Sequence, residues 1–206
     1  MQWTVVVPVK ALPAAKSRLA STVRDSRTHD QLVRAIRGDT LAAAAHAEGV
    51  ARILVVADVD GVEAVEAAEV IVQGEPGLNA GLREAAAYAA ARWPGDGVAA
   101  LVADLPALQP EHLGEALRLA AGADAAFVAD SSGEGTTLLT ARPGTALAPS
   151  FGAGSALRHA QHALSVVGAP GLRQDVDTES DLFRALELGS GPMTRAAAAA
   201  VTSCSR

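Results

Sequence analysis

At 206 residues the chain suits one well-buried domain rather than two. Half of it is hydrophobic but only 3% is aromatic, so the core must be built mainly from Ala, Val and Leu. The net charge of −6 excludes a general nucleic-acid-binding surface while leaving room for a small cationic pocket. A single cysteine, Cys204, allows no internal disulfide or zinc cluster and points to a reducing compartment. No basic segment precedes the first apolar run, and no apolar stretch is long enough to span a membrane. A soluble cytoplasmic protein is expected.

In chain order, the first predicted strand covers residues 3–7 and runs into PVKALPAAKSRL, where Pro8 and Pro13 delay helix formation. That loop holds Lys10, Lys16 and Arg18. Lysine occurs nowhere else in the chain, every other Lys/Arg position being Arg. A Lys ammonium is a compact charge suited to a polyphosphate, whereas Arg favours planar bidentate contacts. The loop reads either as a triphosphate grip or as a solvated basic segment. A helix is expected over 28–47, a strand over 53–57, a helix over 62–68 and a strand over 69–72. GEPGLNAGL then opens a helix over 78–92.

The next predicted strand, 98–103, runs into DLPAL. Asp104 closes the apolar run and the following Leu-Pro turns the chain. Its carboxylate either holds a divalent metal together with waters and phosphate oxygens or caps the turn. A helix over 110–120 and strands over 125–129 and 136–141 follow, with GEGTT leading into the second strand. SFGAGSALRHA is a glycine-rich turn entering a helix over 155–163, with Ser155 at its expected N-cap. Backbone N–H groups and a hydroxyl there suit an anion, though a plain turn is the other reading. The spacing fits neither a Walker loop nor a dinucleotide fingerprint. The five histidines show no metal spacing and read as surface residues.

In RQDVDTESDL a strand over 174–176 carries Asp175, and Asp177 follows, ahead of a helix over 180–188. One of the two aspartates would complete a metal site with Asp104 and the other buttress it, or both are helix-start carboxylates. From Gly189 onward the sequence lacks an amphipathic pattern, so residues 189–206 are expected as a frayed helix or flexible tail. The alternation as a whole predicts a three-layer α/β/α fold with a mostly parallel, mixed sheet. Ligands of such sheets bind beyond the carboxyl ends of the strands, which is where these motifs fall.

Taken in order, PVKxLxxAKSRL, DLPAL, GTT, FGxGS and DVDT resemble the CofC/FbiD family, from about Trp3 to Leu188. These guanylyltransferases make the activated phospho-acid precursor of coenzyme F-420. The resemblance implies a single nucleotidyltransferase domain over 1–188 with the GT-A-like nucleotide-diphospho-sugar transferase fold. It implies transfer of GMP from GTP to phosphoenolpyruvate or 2-phospho-L-lactate, the Ala- and Arg-rich composition favouring phosphoenolpyruvate.

The same resemblance implies that Thr137, Gly152 and Ser155 hold the phospho-acid. Lys10, Lys16 and Arg18 would grip the triphosphate, with Leu78 and Asn79 near the nucleoside. Mg²⁺ would sit on Asp104 and Asp177, making Lys16 and Asp104 the catalytic pair. The product would pass to a downstream transferase, and association into a homo-oligomer is left open. A molybdenum-cofactor-type or sugar-phosphate nucleotidyltransferase is one alternative, against which stands the missing LAAGxGxR signature. A non-catalytic nucleotide-binding protein is the other, although Asp104, Asp175 and Asp177 are all retained.

Overall fold

In the computed structural model, which describes residues 1–9, 26–57 and 68–203, the first strand, β1 (Trp3–Val9), is buried from Trp3 to Val7. A run with no polar alternation can be satisfied only by cover on both faces. The chain continues through α1 (Ser26–Ala45), β2 (Val50–Ala57), β3 (Ala68–Val72), α2 (Leu78–Arg92) and β4 (Gly97–Leu101). Then come α3 (Pro110–Ala120), β5 (Ala125–Ala129), β6 (Thr136–Ala141), the short α4 (Ser155–His159) and β7 (Leu164–Ser165). It closes with α5 (Pro170–Arg173), α6 (Glu179–Glu187) and α7 (Pro192–Ser203).

The strands form one seven-stranded sheet in the order β3-β2-β1-β4-β6-β5-β7. All pairings are parallel except those of β6, which runs against both β4 and β5. Val5, Val7 and Val9 of β1 pack with Leu41 and Ala44 of α1 and Leu113 and Leu117 of α3. The alternate residue Val6 packs on the other face with Leu82, Ala85 and Ala89 of α2. This is the expected three-layer α/β/α architecture. On its outer side α1 buries Leu32 and Ile36 against Val176 and against Leu182 and Ala185 of α6.

The predicted bounds of α2, α3, β5 and β6 agree with the structure. The helix expected over 62–68 lies outside the described residues apart from Ala68, which opens β3. The helix expected over 155–163 stops at His159, where the chain tightens into i→i+3 turns, Gln161 N–H to Arg158 C=O and His162 N–H to His159 C=O, before β7. Residues 174–176 are no sheet strand. They follow α5 and are tied instead by the Val176 N–H to the Asp104 carbonyl, 3.1 Å.

The segment expected as a frayed helix or flexible tail begins at Gly189. Residues 192–203 are helical and dock on α1. Asp39 of α1, 5% exposed, accepts hydrogen bonds from Met193 N–H at 3.2 Å and Thr194 N–H at 2.7 Å. These donors belong to the first turn of α7, where backbone N–H groups have no intrahelical partner. Gly191 N–H donates to Pro106 C=O at 2.8 Å, and a Cβ at Gly191 would collide with the Asp39 carboxylate. A polyalanine stretch has high helix propensity, and a distant carboxylate supplies its cap.

Candidate active site

β1 is paired with β2 on one side and β4 on the other, so the switch point of the sheet lies between β1 and β4. The β1–β4 register stops at Val6↔Ala100, while β1–β2 continues to Val9↔Ala57. A crevice therefore opens beyond the end of β4. Lys10, Lys16 and Arg18 follow Val9 and lie outside the described residues. Because β6 is antiparallel, its first residues, not its last, reach this edge. Leu138 pairs with Leu101, and Val102 N–H donates to Thr137 C=O at 3.0 Å. Thr137 thereby sits beside the chain that leads into Asp104.

Asp104 is half-buried. The next N–H, of Leu105, donates to Thr40 Oγ1 of α1 at 3.0 Å, and the Asp104 carbonyl holds Val176. Asp175 and Asp177 flank Val176, which is fully buried. Residues two apart in extended chain share a face, so both aspartates lie on the side away from that core. Asp175 is half-buried and Asp177 exposed. Asp177 N–H and Thr178 N–H both donate to Asp181 Oδ2, at 3.3 and 2.9 Å, and Thr178 caps α6. Among the described residues no three His, Cys, Asp or Glu side chains gather into a metal cage. Carboxylates on two adjoining segments nonetheless fit Mg²⁺, which takes few protein ligands and completes its shell with water and substrate phosphate.

Of the three residues expected to hold the phospho-acid, Gly152 and Ser155 share one turn, whereas Thr137 lies in β6 and it is its neighbour Thr136 that meets Ser155. Gly152 has φ 123°, a conformation reserved for glycine, and its carbonyl accepts from Ser155 N–H at 3.0 Å. A Cβ at position 152 would meet only an Arg158 nitrogen at 3.8 Å, so backbone conformation and not crowding requires the glycine. Ser155 is the first helical residue of α4 and not its cap, which is Gly154 at φ 69°. Its hydroxyl, 1% exposed, donates to Thr136 Oγ1 at 3.1 Å. Thr137 Oγ1 donates to Val128 C=O at 3.5 Å.

Asn79, expected beside the nucleoside, turns its amide on the same loop. Phe151 N–H donates to Asn79 Oδ1 at 2.8 Å, and Asn79 Nδ2 donates to Phe151 C=O at 3.1 Å. Leu78 borders a cleft of about 350 Å³ lined by Val9, Val56, Gln73, Gly74 and Pro76. This cleft lies at the carboxyl ends of β1, β2 and β3, beside the switch point.

Sequence reasoning missed His159. Far from being a surface residue, it is fully buried, with Phe151 edge-on at 5.2 Å and Phe127 at 6.1 Å. Burial, with His162 and Arg158 adding their charges, lowers its pKa to about 4, so the ring is neutral at physiological pH. Ser150 N–H donates to Nε2 at 2.9 Å, and Nδ1 lies 2.8 Å from Thr136 Oγ1. The one available signal was spacing: Ser155 and His159, four apart in a helix, share a face.

A mostly parallel sheet, with Asp104 and the Gly152 turn at the ends of strands beside its switch point, has the architecture of the nucleotide-diphospho-sugar transferase fold. A solved structure from Desulfovibrio desulfuricans G20, assigned to the nucleotide-diphospho-sugar transferases, shares this fold with a TM-score of 0.66 at 20% identity, covering 88% of this chain and 85% of its own. The chain belongs to the CofC-like guanylyl transferase family, whose family model matches residues 3–197. The phosphoenolpyruvate guanylyltransferase of Thermomonospora curvata is 46% identical over 207 residues, covering 97% of this chain and 90% of its own. That of Streptomyces coelicolor is 48% identical over 206 residues and covers 97% of both. Family membership sets aside the molybdenum-cofactor, sugar-phosphate and non-catalytic alternatives. No helix among the described residues is long and apolar enough to cross a membrane.

Proposed function

We propose that the enzyme transfers GMP from GTP to the phosphate of phosphoenolpyruvate, giving enolpyruvyl-diphospho-guanosine and pyrophosphate in the route to coenzyme F-420. The observation that carries this reading is the 46% and 48% identity, over nearly the whole chain, to phosphoenolpyruvate guanylyltransferases. The loop around Gly152 and the cleft beside Leu78 support it, since they offer separate sites for acceptor and nucleotide. An ionised phosphate oxygen of the acceptor attacks the α-phosphorus in line. The bond from that phosphorus to the bridging oxygen breaks, and pyrophosphate leaves with the electron pair. No protein nucleophile is needed, so catalysis rests on positioning and electrostatics.

In this reading Lys10, Lys16 and Arg18 neutralise the triphosphate and the departing pyrophosphate. Thr137, Gly152 and Ser155 hold the acceptor. Mg²⁺ held by Asp104 and Asp177, with Asp175 behind them, would neutralise phosphate oxygens as charge builds there. The reaction belongs to the cytoplasm, and a downstream transferase consumes the diphospho-guanosine product. Pyrophosphate release tests this, with each nucleoside triphosphate crossed against phosphoenolpyruvate, 2-phospho-L-lactate and 3-phospho-D-glycerate. GTP with phosphoenolpyruvate is expected to turn over fastest; preference for another pair overturns the assignment.

A further inference from the structure

His159 lies one shell behind the acceptor loop, and its hydrogen bonds have a direction that the backbone dictates. A peptide N–H can only donate, so the bond from Ser150 makes Nε2 an acceptor without a hydrogen. The ring being neutral, its one hydrogen is on Nδ1 and is donated to Thr136 Oγ1. Thr136 is thus supplied from behind and keeps its own hydroxyl hydrogen to give. Its neighbour at 3.1 Å is Ser155 Oγ.

In the structure Ser155 donates to Thr136. Hydroxyl hydrogens rotate freely. An anion that reaches Ser155 draws that hydrogen outward, and rotation of the Thr136 hydroxyl lets it donate to the vacated lone pair. The donor chain becomes Ser150 N–H to His159, His159 Nδ1–H to Thr136, Thr136 to Ser155, and Ser155 to the anion. We propose that His159 is a positioning residue for the acceptor: it sets the polarity of the Thr136–Ser155 relay so that a hydrogen always faces the phospho-acid, and it anchors the loop at Ser150. Were Nδ1 instead an acceptor, Thr136 would donate to the ring and Ser155 to Thr136, leaving Ser155 to present lone pairs to an anion.

The inference rests on the acceptor reading above, and the controls keep the two apart. If wild-type enzyme fails to use phosphoenolpyruvate, the functional reading falls; only differences among variants of an active enzyme bear on His159. His159→Asn keeps a donor near the Nδ1 position, His159→Gln can replace only the Nε2 acceptor, and His159→Phe replaces neither. The KM for phosphoenolpyruvate is expected to rise roughly tenfold or more in the Phe and Gln variants and less in Asn. The KM for GTP should stay within about twofold in all three. Equal acceptor KM in wild type and the Phe variant overturns the proposal, as does rescue by Gln but not Asn, or a parallel rise in the GTP KM. Should the variants not fold, ¹⁵N NMR of the wild-type ring decides. A hydrogen on Nδ1 at neutral pH, with and without phosphoenolpyruvate, is expected; a hydrogen on Nε2 refutes the relay.

Discussion

Replacing Asp39 by Ala should release the last helix from α1. The carboxylate is 5% exposed and accepts from two α7 backbone donors at 2.7 and 3.2 Å. Loss of a capping side chain costs about 0.5–2 kcal/mol. Stranding buried N–H groups adds roughly 1–3 kcal/mol, offset in part because a carboxylate no longer has to be desolvated. A net loss of about 2 kcal/mol is expected, which for a domain of this size lowers Tm by roughly 4–8 °C. Hydrogen exchange localises the effect, because the amides of Met193 and Thr194 should lose protection before those of β1. Asp39→Asn retains one acceptor oxygen and should lose about half as much. Unchanged Tm in Asp39→Ala, with Met193 and Thr194 still protected, would refute the argument that this carboxylate holds the helix.

Other outcomes are as direct. His159 has a folded pKa near 4 against an ordinary 6.5, so the unfolded chain binds more protons between those values. Its stabilisation is present above pH 6.5 and is lost as pH falls towards 4, by at most roughly 3 kcal/mol at ~1.4 kcal/mol per pH unit. Urea midpoints should show this slope in wild type and a shallower one in His159→Asn; parallel slopes would exclude it. Asp104→Ala should abolish nucleotidyl transfer in Mg²⁺ while the Tm holds, because the Val176 and Thr40 bonds near it involve only backbone atoms of 104 and 105. Near-wild-type turnover in that variant removes the metal role. Gly152→Ala, forced to φ 123°, should cost about 1–3 kcal/mol and raise the acceptor KM. Gly154→Asn, at φ 69°, should be milder, since Asn tolerates that region; equal effects in both would show that conformation is not what the glycine supplies.

The features legible in the sequence are those with a local cause. α2 is bracketed by Gly77 at its start and ends against Trp93-Pro94, and α3 opens with Pro110 at its first position. The order of DLPAL, GTT, FGxGS and DVDT was readable because each motif interrupts an apolar or helical run. What stayed hidden depends on partners far along the chain. Asn79 reaches Phe151 across 72 positions and Asp39 reaches Thr194 across 155. No window on the sequence contains both ends of either bond. His159 was hidden differently, since an Arg-His pair on a short helix looks solvated until the fold closes Phe127 and Phe151 over it.

The central position of β1 has a consequence for how the protein is made. β1 is synthesised first, yet its β4 partners begin only at Gly97. At roughly 5–20 residues per second on a ribosome, WTVVVPV has emerged several seconds or more before its second edge can be paired. For that interval one of the most apolar segments of the chain has only β2 to bind, and an open edge invites pairing with other chains. Parallel pairing across such a separation is also slow in refolding. Yield should therefore depend on how well the cell shields the nascent amino-terminal strand, so slower growth and added chaperone should recover soluble enzyme where rapid expression loses it.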